Sequence, residues 1–226
     1  MVEVKVVIEH LEPWLSRWLW IEYSHACRLA RGKLMFTNVK REDHRLALST
    51  IAPAFEESAL ELYSPDEVVI LDPQAEEKLE PWEIGAETVI VVGGILGDHP
   101  PRGRTRKLLT SKAPRAKARS LGEGQFAIDG AVYMALKVAE GTRLEEIPVK
   151  KGLTVRDGPL TIHLPYFYPL RNRKPVVSRQ LIDYLKRGIV EDEERLLRGE
   201  PPYEVVREVL EGSGRRPLGS TSSARA

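Results

Sequence analysis

Strand-like and helix-like segments alternate along the first 140 residues, and this alternation is the feature that most limits the possible folds. The clearest strands are continuous apolar runs, "DEVVILDP" at residues 66–73 and "AETVIVVGG" at residues 86–94. Strands of this kind are buried on both faces, which is typical of parallel sheets covered by helices. The pattern therefore predicts an α/β fold with a mostly parallel sheet and helices on both of its faces.

Hydrophobic periodicity and turn residues predict the other elements of this domain. Further strands are expected at Val4–Ile8, at Leu34–Thr37 and within "AKARSL" at residues 116–121. Helices are expected from Pro13 onward, over Ala52–Tyr63 and over Asp129–Gly141.

The pattern changes after Gly141, where short strands are expected around a turn at Arg156–Pro159. Charged amphipathic helices are expected to follow at Ser178–Arg187, Glu191–Arg198 and Tyr203–Glu211. We therefore expect residues 1–211 to form a single domain, with a C-terminal extension from about residue 142. Residues 212–226 have too few apolar side chains to pack, which predicts a disordered tail.

Composition excludes several classes of protein. The apolar runs are too short to cross a bilayer and the N-terminus has no apolar signal core, so we expect a cytoplasmic protein without a membrane partner. The single cysteine, Cys27, excludes an internal disulfide, and the five histidines show no metal-ligand spacing, so no metal site is predicted. Charged residues make up 30% of the chain while Asn and Gln are few, which favours a thermophilic source.

A glycine-rich loop, "GGILGDHPPRGRT" at Gly93–Thr105, follows the most apolar strand. Ligands bind beyond the carboxyl ends of such strands, and glycines let the backbone approach a ligand closely. The loop lacks the lysine of a P-loop, and Pro100-Pro101 prevent the immediate helix of a dinucleotide fingerprint. A plain strand-to-helix turn remains the alternative.

A second glycine-bearing loop, "SLGEGQFAID" at Ser120–Asp129, follows the next strand and precedes the next helix. Asp129 suits either a ligand contact or an N-cap of that helix. Two such loops after consecutive strands are expected to meet in one crevice.

Three segments resemble the SPOUT-class protein arginine methyltransferase family. They are "GGILGDHPPRGRT", "RSLGEGQFAIDGA" at Arg119–Ala131 and "VIEHLEPWLSRWLWIEYSH" at Val7–His25. The resemblance extends over about residues 4–167 and is loose beyond them. It implies a SPOUT fold with a deep trefoil knot near the C-terminal half, S-adenosylmethionine (SAM) as cofactor and an arginine of a small-subunit ribosomal protein as acceptor.

The resemblance also implies which residues bind SAM. These are Gly93, Gly94, Leu96, Gly97 and Asp98 in the first loop and Leu121, Gly122, Gln125, Phe126, Ile128 and Asp129 in the second. The residue types suit an apolar wall for adenine and backbone partners for its polar edge.

Methylation of arginine requires a group that holds the guanidinium and helps its proton leave, because the guanidinium pKa lies above 12. A carboxylate suits this task through paired hydrogen bonds. Glu9 at the end of the first strand and Asp98 in the first loop are the leading candidates, and Glu22 is the third. The alternative for Glu9 is a structural strand-end carboxylate, and the alternative for Glu22 is a solvated helix residue.

The segment Arg102–Arg119 carries eight cations and no acid. It suits docking on RNA or on an acidic surface, and equally a solvated helix face, while Arg104 and Thr105 are candidates to brace the first loop. Trp14, Trp18 and Trp20 are expected in the core.

Three functions follow from these observations. The first is methylation of a protein arginine with SAM, and the second is methylation of RNA with SAM. The third is a non-catalytic module that binds the ribosome or RNA. The sequence leaves a monomer and a homodimer equally open.

Overall fold

The computed structural model describes residues 4–213, and a five-stranded parallel sheet lies at its centre. The strands are β1 (Lys5–His10), β2 (Leu34–Thr37), β3 (Val68–Leu71), β4 (Val89–Gly94) and β5 (Lys117–Arg119). Their order is β2-β1-β4-β3-β5, and every neighbouring pair is parallel. The mostly parallel sheet expected from the apolar strands is therefore confirmed.

Helices cover both faces of the sheet. They are α1 (Arg17–Ala30), α2 (Glu42–Leu48), α3 (Ala59–Leu62), α4 (Arg104–Leu108) and α5 (Ile128–Ala139). Successive strand residues point to opposite faces, so Val6 and Ile8 of β1 join the core beneath α1 and α5. Val7 instead joins the smaller core beneath α3.

An antiparallel sheet follows, made of β6 (Val149–Asp157), β7 (Leu160–Arg171) and β8 (Lys174–Pro175). The turn between β6 and β7 lies at Gly158-Pro159, within the predicted Arg156–Pro159. The strands are longer than the short ones expected. Leu164 and Tyr168 of β7 pack with Leu181 and Leu185 of α6 (Arg179–Arg187) in a third core.

The last helices are α7 (Ile189–Leu197) and α8 (Val206–Gly212), and α8 packs against α2. Glu204, just before α8, accepts a hydrogen bond from the backbone N–H of Leu15 at 3.0 Å. Its carboxylate also contacts Arg41 at 3.0 Å and His44 Nε2 at 2.6 Å. These contacts join the C-terminal segment to α1 and α2. The predicted disordered tail lies outside the described residues except for Gly212 and Ser213, and Gly212 belongs to α8.

Two helix predictions near the N-terminus were wrong in their bounds. Helix α1 begins at Arg17 instead of Pro13, because the Ser16 hydroxyl caps it by accepting from the Leu19 N–H at 3.3 Å. Helix α3 covers only the end of the predicted Ala52–Tyr63, because the preceding residues bind β2 through backbone hydrogen bonds between Phe36 and residues 53 and 55.

Two further differences concern side chains and a missed helix. Trp14 is 40% exposed and is not a core residue. It precedes α1, and the Arg41 guanidinium lies over its ring. Trp18 and Trp20 do pack against the buried cores. Helix α2 had no periodic signal long enough to predict it, and no side chain caps its first turn. Within residues 4–213, no helix has the length and apolar character needed to cross a membrane.

Candidate cofactor and acceptor site

A cavity of about 250 Å³ lies beyond the carboxyl end of β4, where both glycine-bearing loops meet. Its walls contain eight of the residues implied to bind the cofactor: Gly93, Leu96, Gly97, Asp98, Leu121, Gln125, Phe126 and Ile128. Three implied residues, Gly94, Gly122 and Asp129, are not part of the lining. The expected convergence of the two loops is present in the structure.

The first loop is held by Arg104 near its own end and by two side chains from outside it, Glu12 and Tyr166. Arg104 donates to the Leu96 carbonyl at 3.1 Å and to Glu12 Oε1 at 2.9 Å, and Glu12 Oε1 also accepts from the Leu96 N–H at 2.9 Å. The Tyr166 hydroxyl of β7 donates to the Gly97 carbonyl at 2.6 Å. Arg104 therefore braces the loop, one of the roles weighed for it, whereas Glu12 and Tyr166 had no sequence signal.

The second loop is packed beneath the β6–β7 hairpin. Gly124 has a φ of +93° and lies against the Phe167 ring, so a side chain at this position would meet both backbone strain and that ring. The Phe167 N–H donates to the Gln125 carbonyl at 2.8 Å, and the rings of Phe126 and Phe167 pack edge to face at 6.0 Å. The hairpin thus supports one wall of the cavity.

Gly94 faces the core. A Cβ atom on Gly94 would lie 2.8 Å from the Glu9 carbonyl oxygen and against the Tyr23 hydroxyl, so the residue has no room for a side chain. A larger residue at Gly94 would therefore disturb the packing of α1 on the sheet before it reached any ligand.

We expect Gly94→Ala to destabilise the fold by about 1–3 kcal/mol, the usual effect of overpacking. The neighbouring Gly93→Ala is the matched control, since its Cβ would meet its nearest atoms at an ordinary 3.5 Å. Thermal or urea unfolding of both variants checks the difference. Equal stability of the two would contradict the assignment of Gly94 to the core.

Glu22 is a buried carboxyl group beside the cavity. It is 3% exposed, and its oxygens accept hydrogen bonds from Trp18 Nε1 at 2.6 Å and from the Ile128 N–H at 3.0 Å. Burial, and then the negative charge of Asp129, raise the pKa of Glu22 to about 8. The structure therefore excludes a solvated helix position for this residue.

Asp129 lies next to Glu22 and is paired with a histidine. The Asp129 carboxylate contacts His25 Nδ1 at 2.6 Å and accepts from the Gly130 N–H at 2.8 Å, and it is 1% exposed. His25 lies one turn after Glu22 on α1, so both side chains face α5. Glu22, His25 and Asp129 thus form a cluster behind the cavity wall.

The structure does not bring Glu9 to this cavity. Its carboxylate is buried beneath α3, where it accepts from the Thr37 hydroxyl at 2.5 Å, the Ala59 N–H at 2.9 Å and the Ser58 hydroxyl. Residue alternation along β1 places it on the face opposite α1 and α5. The role as a structural strand-end carboxylate, weighed from the sequence, agrees with this geometry.

Asp98 does line the cavity, and its carboxylate lies 3.8 Å from the Arg104 guanidinium. The Asp98 side chain is 29% exposed, so it is more open to solvent than Glu22. Asp98 and Glu22 are therefore the predicted acids that the fold places at or beside the cavity.

The cations of Arg102–Arg119 divide into two groups. Arg104, Arg106 and Arg119 form ion pairs with Glu12, Asp72 and Glu83 respectively. The other five are exposed and form no ion pair within residues 4–213: Arg102, Lys107, Lys112, Arg115 and Lys117. The same part of the chain contains no group of three or more residues placed to hold a metal ion.

Comparisons with known proteins agree with this geometry. The model of the family "Protein arginine N-methyltransferase SFM1-like" matches residues 5–192. The protein arginine N-methyltransferase SFM1 of Saccharomyces cerevisiae is 29% identical over 214 residues, which cover 86% of this chain and all of that protein.

Solved structures give the same result. The crystal structure of the yeast arginine methyltransferase SFM1 complexed with SAM has a TM-score of 0.72 and 27% identity, and the match covers 81% of this chain and 90% of that chain. Trm10 from Thermococcus kodakaraensis shares the fold alone, with a TM-score of 0.51 and 20% identity over 63% of this chain and 95% of that chain. The family match spans most of the sequence and includes both loops and α1, and the chain therefore belongs to the SFM1-like protein arginine N-methyltransferase family.

Proposed function

We propose that this chain transfers a methyl group from SAM to an arginine side chain of a ribosomal protein. The observation that carries the proposal is the buried carboxyl group of Glu22, which is hydrogen-bonded to the Ile128 N–H at the wall of the cavity. Family membership and the likeness to an arginine methyltransferase crystallised with SAM support the same reaction.

The cavity has the chemistry that SAM requires. Apolar side chains on its walls suit an adenine ring, and they include Leu71, Leu121, Phe126, Ile128 and Ala131. The Asp98 carboxylate suits the positive groups of the cofactor, and exposed loop backbone suits its polar edges. When bound, SAM supplies a methyl group activated by a positively charged sulfur.

Glu22 has the capacity to hold a guanidinium group. A carboxylate offers about four acceptor positions, and Trp18 and Ile128 each use one of them on different oxygens. One position on each oxygen is left, which matches the paired N–H groups of arginine. A guanidinium in this place would stabilise the ionised carboxylate, and the carboxylate would then accept the proton that leaves the attacking nitrogen.

Asp98 is the second candidate for this role, since it lines the cavity. We place it after Glu22 because its carboxylate lies near the Arg104 guanidinium and is partly exposed, so both water and a resident cation compete for it. An Asp98 contact with the cofactor agrees better with its position in the first loop.

Methylation of RNA is a second candidate function. Five exposed cations favour it, because Arg102 lies in the loop that lines the cavity, the other four follow that loop, and all five are free to contact phosphates. The other four are Lys107, Lys112, Arg115 and Lys117. The buried acid at the acceptor position favours a cationic acceptor over RNA.

The proposal also includes a deep trefoil knot in the fold. It further includes a cytoplasmic location and either a monomer or a homodimer. The knot is supported by the path after β5, where Ser120 exchanges backbone hydrogen bonds with Glu77 and Leu79 of the segment that follows β3. The chain then crosses to α5 on the face covered by α1.

Incubation of the purified protein with methyl-labelled SAM and a ribosomal extract tests the function. We expect the label to be in protein and to resist ribonuclease. After acid hydrolysis of the protein, the label should be found on arginine. The variant with Lys107, Lys112 and Lys117 changed to Ala removes three exposed cations and keeps every residue that lines the cavity, so it serves as the second arm of the test. Label in RNA that disappears in this triple variant would replace the arginine proposal with the RNA one.

A further inference from the structure

The hydroxyl group of Tyr168 is buried without a hydrogen-bond partner in the part of the chain that the structure describes. Tyr168 is 1% exposed. Buried polar groups are nearly always hydrogen-bonded, so an isolated hydroxyl in a core needs a specific explanation. A ligand that brings its own donor or acceptor is one such explanation.

Tyr168 lies close to the acids beside the cavity. It is on the same face of β7 as Tyr166, whose hydroxyl holds the first loop through Gly97. It packs in the same core as Trp18, the residue that donates to Glu22. Burial first, and then the negative charges of Glu22 and Asp129, raise the pKa of Tyr168, in agreement with this packing.

We propose that the Tyr168 hydroxyl is a second contact for the acceptor arginine, accepting one guanidinium N–H while Glu22 accepts two others. The inference rests on the proposed function, because it places the acceptor beside Glu22. Guanidinium has five N–H donors in one plane, so a single carboxylate leaves donors unmatched in a buried site. A hydroxyl group beside the guanidinium plane accepts a hydrogen bond from one of these unmatched N–H donors.

Tyr168 would also contribute to the choice of arginine over lysine. The ammonium group of lysine is a compact charge that can pair with a single carboxylate. The planar guanidinium of arginine is wider, and its N–H groups reach acceptors at two separate places. A site with one carboxylate and one separate hydroxyl therefore suits the wider, flat cation.

The test is Tyr168→Phe in the full chain, which removes one oxygen atom and keeps the ring. The probe is N-acetyl-arginine amide, titrated by NMR into the protein saturated with S-adenosylhomocysteine. We expect its Kd to increase about tenfold, the value of kcat/KM for arginine methylation to fall by a similar factor, and the affinity for SAM to stay unchanged. The Tm of the free protein should be unchanged or higher, because the free protein loses only an unpaired hydroxyl.

Tyr184→Phe is the matched control. Its hydroxyl donates to Asp192 at 2.7 Å, so the control should lower the Tm while leaving probe binding and kinetics unchanged. A Tyr168→Phe protein with a lower Tm and unchanged Kd for the probe would overturn the contact, and so would a wild type that does not bind the probe. A wild type that binds the probe through Tyr168 but methylates no arginine would overturn the proposed function and leave the contact standing.

Discussion

Glu22→Gln is expected to slow arginine methylation by about a hundredfold to ten-thousandfold, the range found when a positioned general base is lost. The variant keeps the size of the side chain and removes the charge that we propose holds the guanidinium and accepts its proton. SAM affinity should change little, because Glu22 contacts the cavity wall through Ile128 without lining the cavity itself. Steady-state kinetics with a labelled methyl donor and calorimetry with SAM check both parts.

Glu9→Gln is the control for this experiment. Both acids are buried and hydrogen-bonded. In each variant, the amide that replaces the carboxylate faces N–H or O–H groups that had donated hydrogen bonds to it. Each variant is therefore expected to lose folding stability of about 1–3 kcal/mol. Only in Glu22→Gln should the loss of activity be far larger than the loss of folded protein. Full activity in Glu22→Gln would transfer the acceptor role to Asp98.

The pH profile gives the same experiment a second readout. Glu22 must be ionised to act as a base, and its pKa is raised to about 8 by burial and by Asp129. The value of kcat/KM should therefore rise about tenfold per pH unit below pH 8 and become constant above it. Asp129 on α5, itself paired with His25, is the charged group that acts on Glu22. The charge of Glu22 in turn acts on Tyr23 of α1 and on Tyr166 and Tyr168 of β7. A profile that is flat between pH 6.5 and 9 would remove Glu22 from the chemistry.

Ala131→Phe is expected to weaken SAM binding about a hundredfold or more, which corresponds to about 3 kcal/mol. Ala131 lies in the first turn of α5 and lines the cavity, so a phenyl group there would occupy space in the proposed cofactor site. Because the loss depends on volume, the series Val, Leu and Phe at this position should weaken binding in steps. Calorimetry with SAM measures each step.

Ala139→Phe is the matched control on the same helix. Ala139 is half-buried near the end of α5 and is not part of the cavity lining, so SAM should bind this variant as it binds the wild type. Circular dichroism shows whether both variants retain the fold. A folded Ala131→Phe protein that binds SAM normally would place the cofactor elsewhere.

The sequence predicted the sheet and both loops because these depend on local signals. Continuous apolar strands identify a parallel sheet, and glycines after two consecutive strands mark the edge at which a ligand site forms. The resemblance then named eight residues that line the cavity, Gly93 and Ile128 among them. The helix errors at Pro13 and Ala52 arose where backbone pairing and a serine cap decided the boundaries.

The sequence did not distinguish Glu9 from Glu22, because only the packing of layers shows which side of the sheet each acid faces. The sequence places Glu9 first because it ends the first strand and Glu22 third because it lies on a helix, whereas the structure sets Glu22 beside the cavity and Glu9 on the opposite face of the sheet. Glu12 and Tyr166 were missed for a related reason. They reach the first loop from distant parts of the chain, and no local pattern reports such contacts.

The backbone bond between Phe167 and Gln125 has a consequence for how the protein opens. A loop in contact with solvent normally fluctuates independently of distant elements, but here one wall of the cavity is fastened to the strand that carries Tyr166 and Tyr168. Local unfolding of the hairpin would therefore remove one wall of the cavity and the proposed acceptor contact of Tyr168 in one step. Exchange of the cofactor and exchange of the acceptor would then depend on the same opening of the hairpin. The free energy of that opening would limit both.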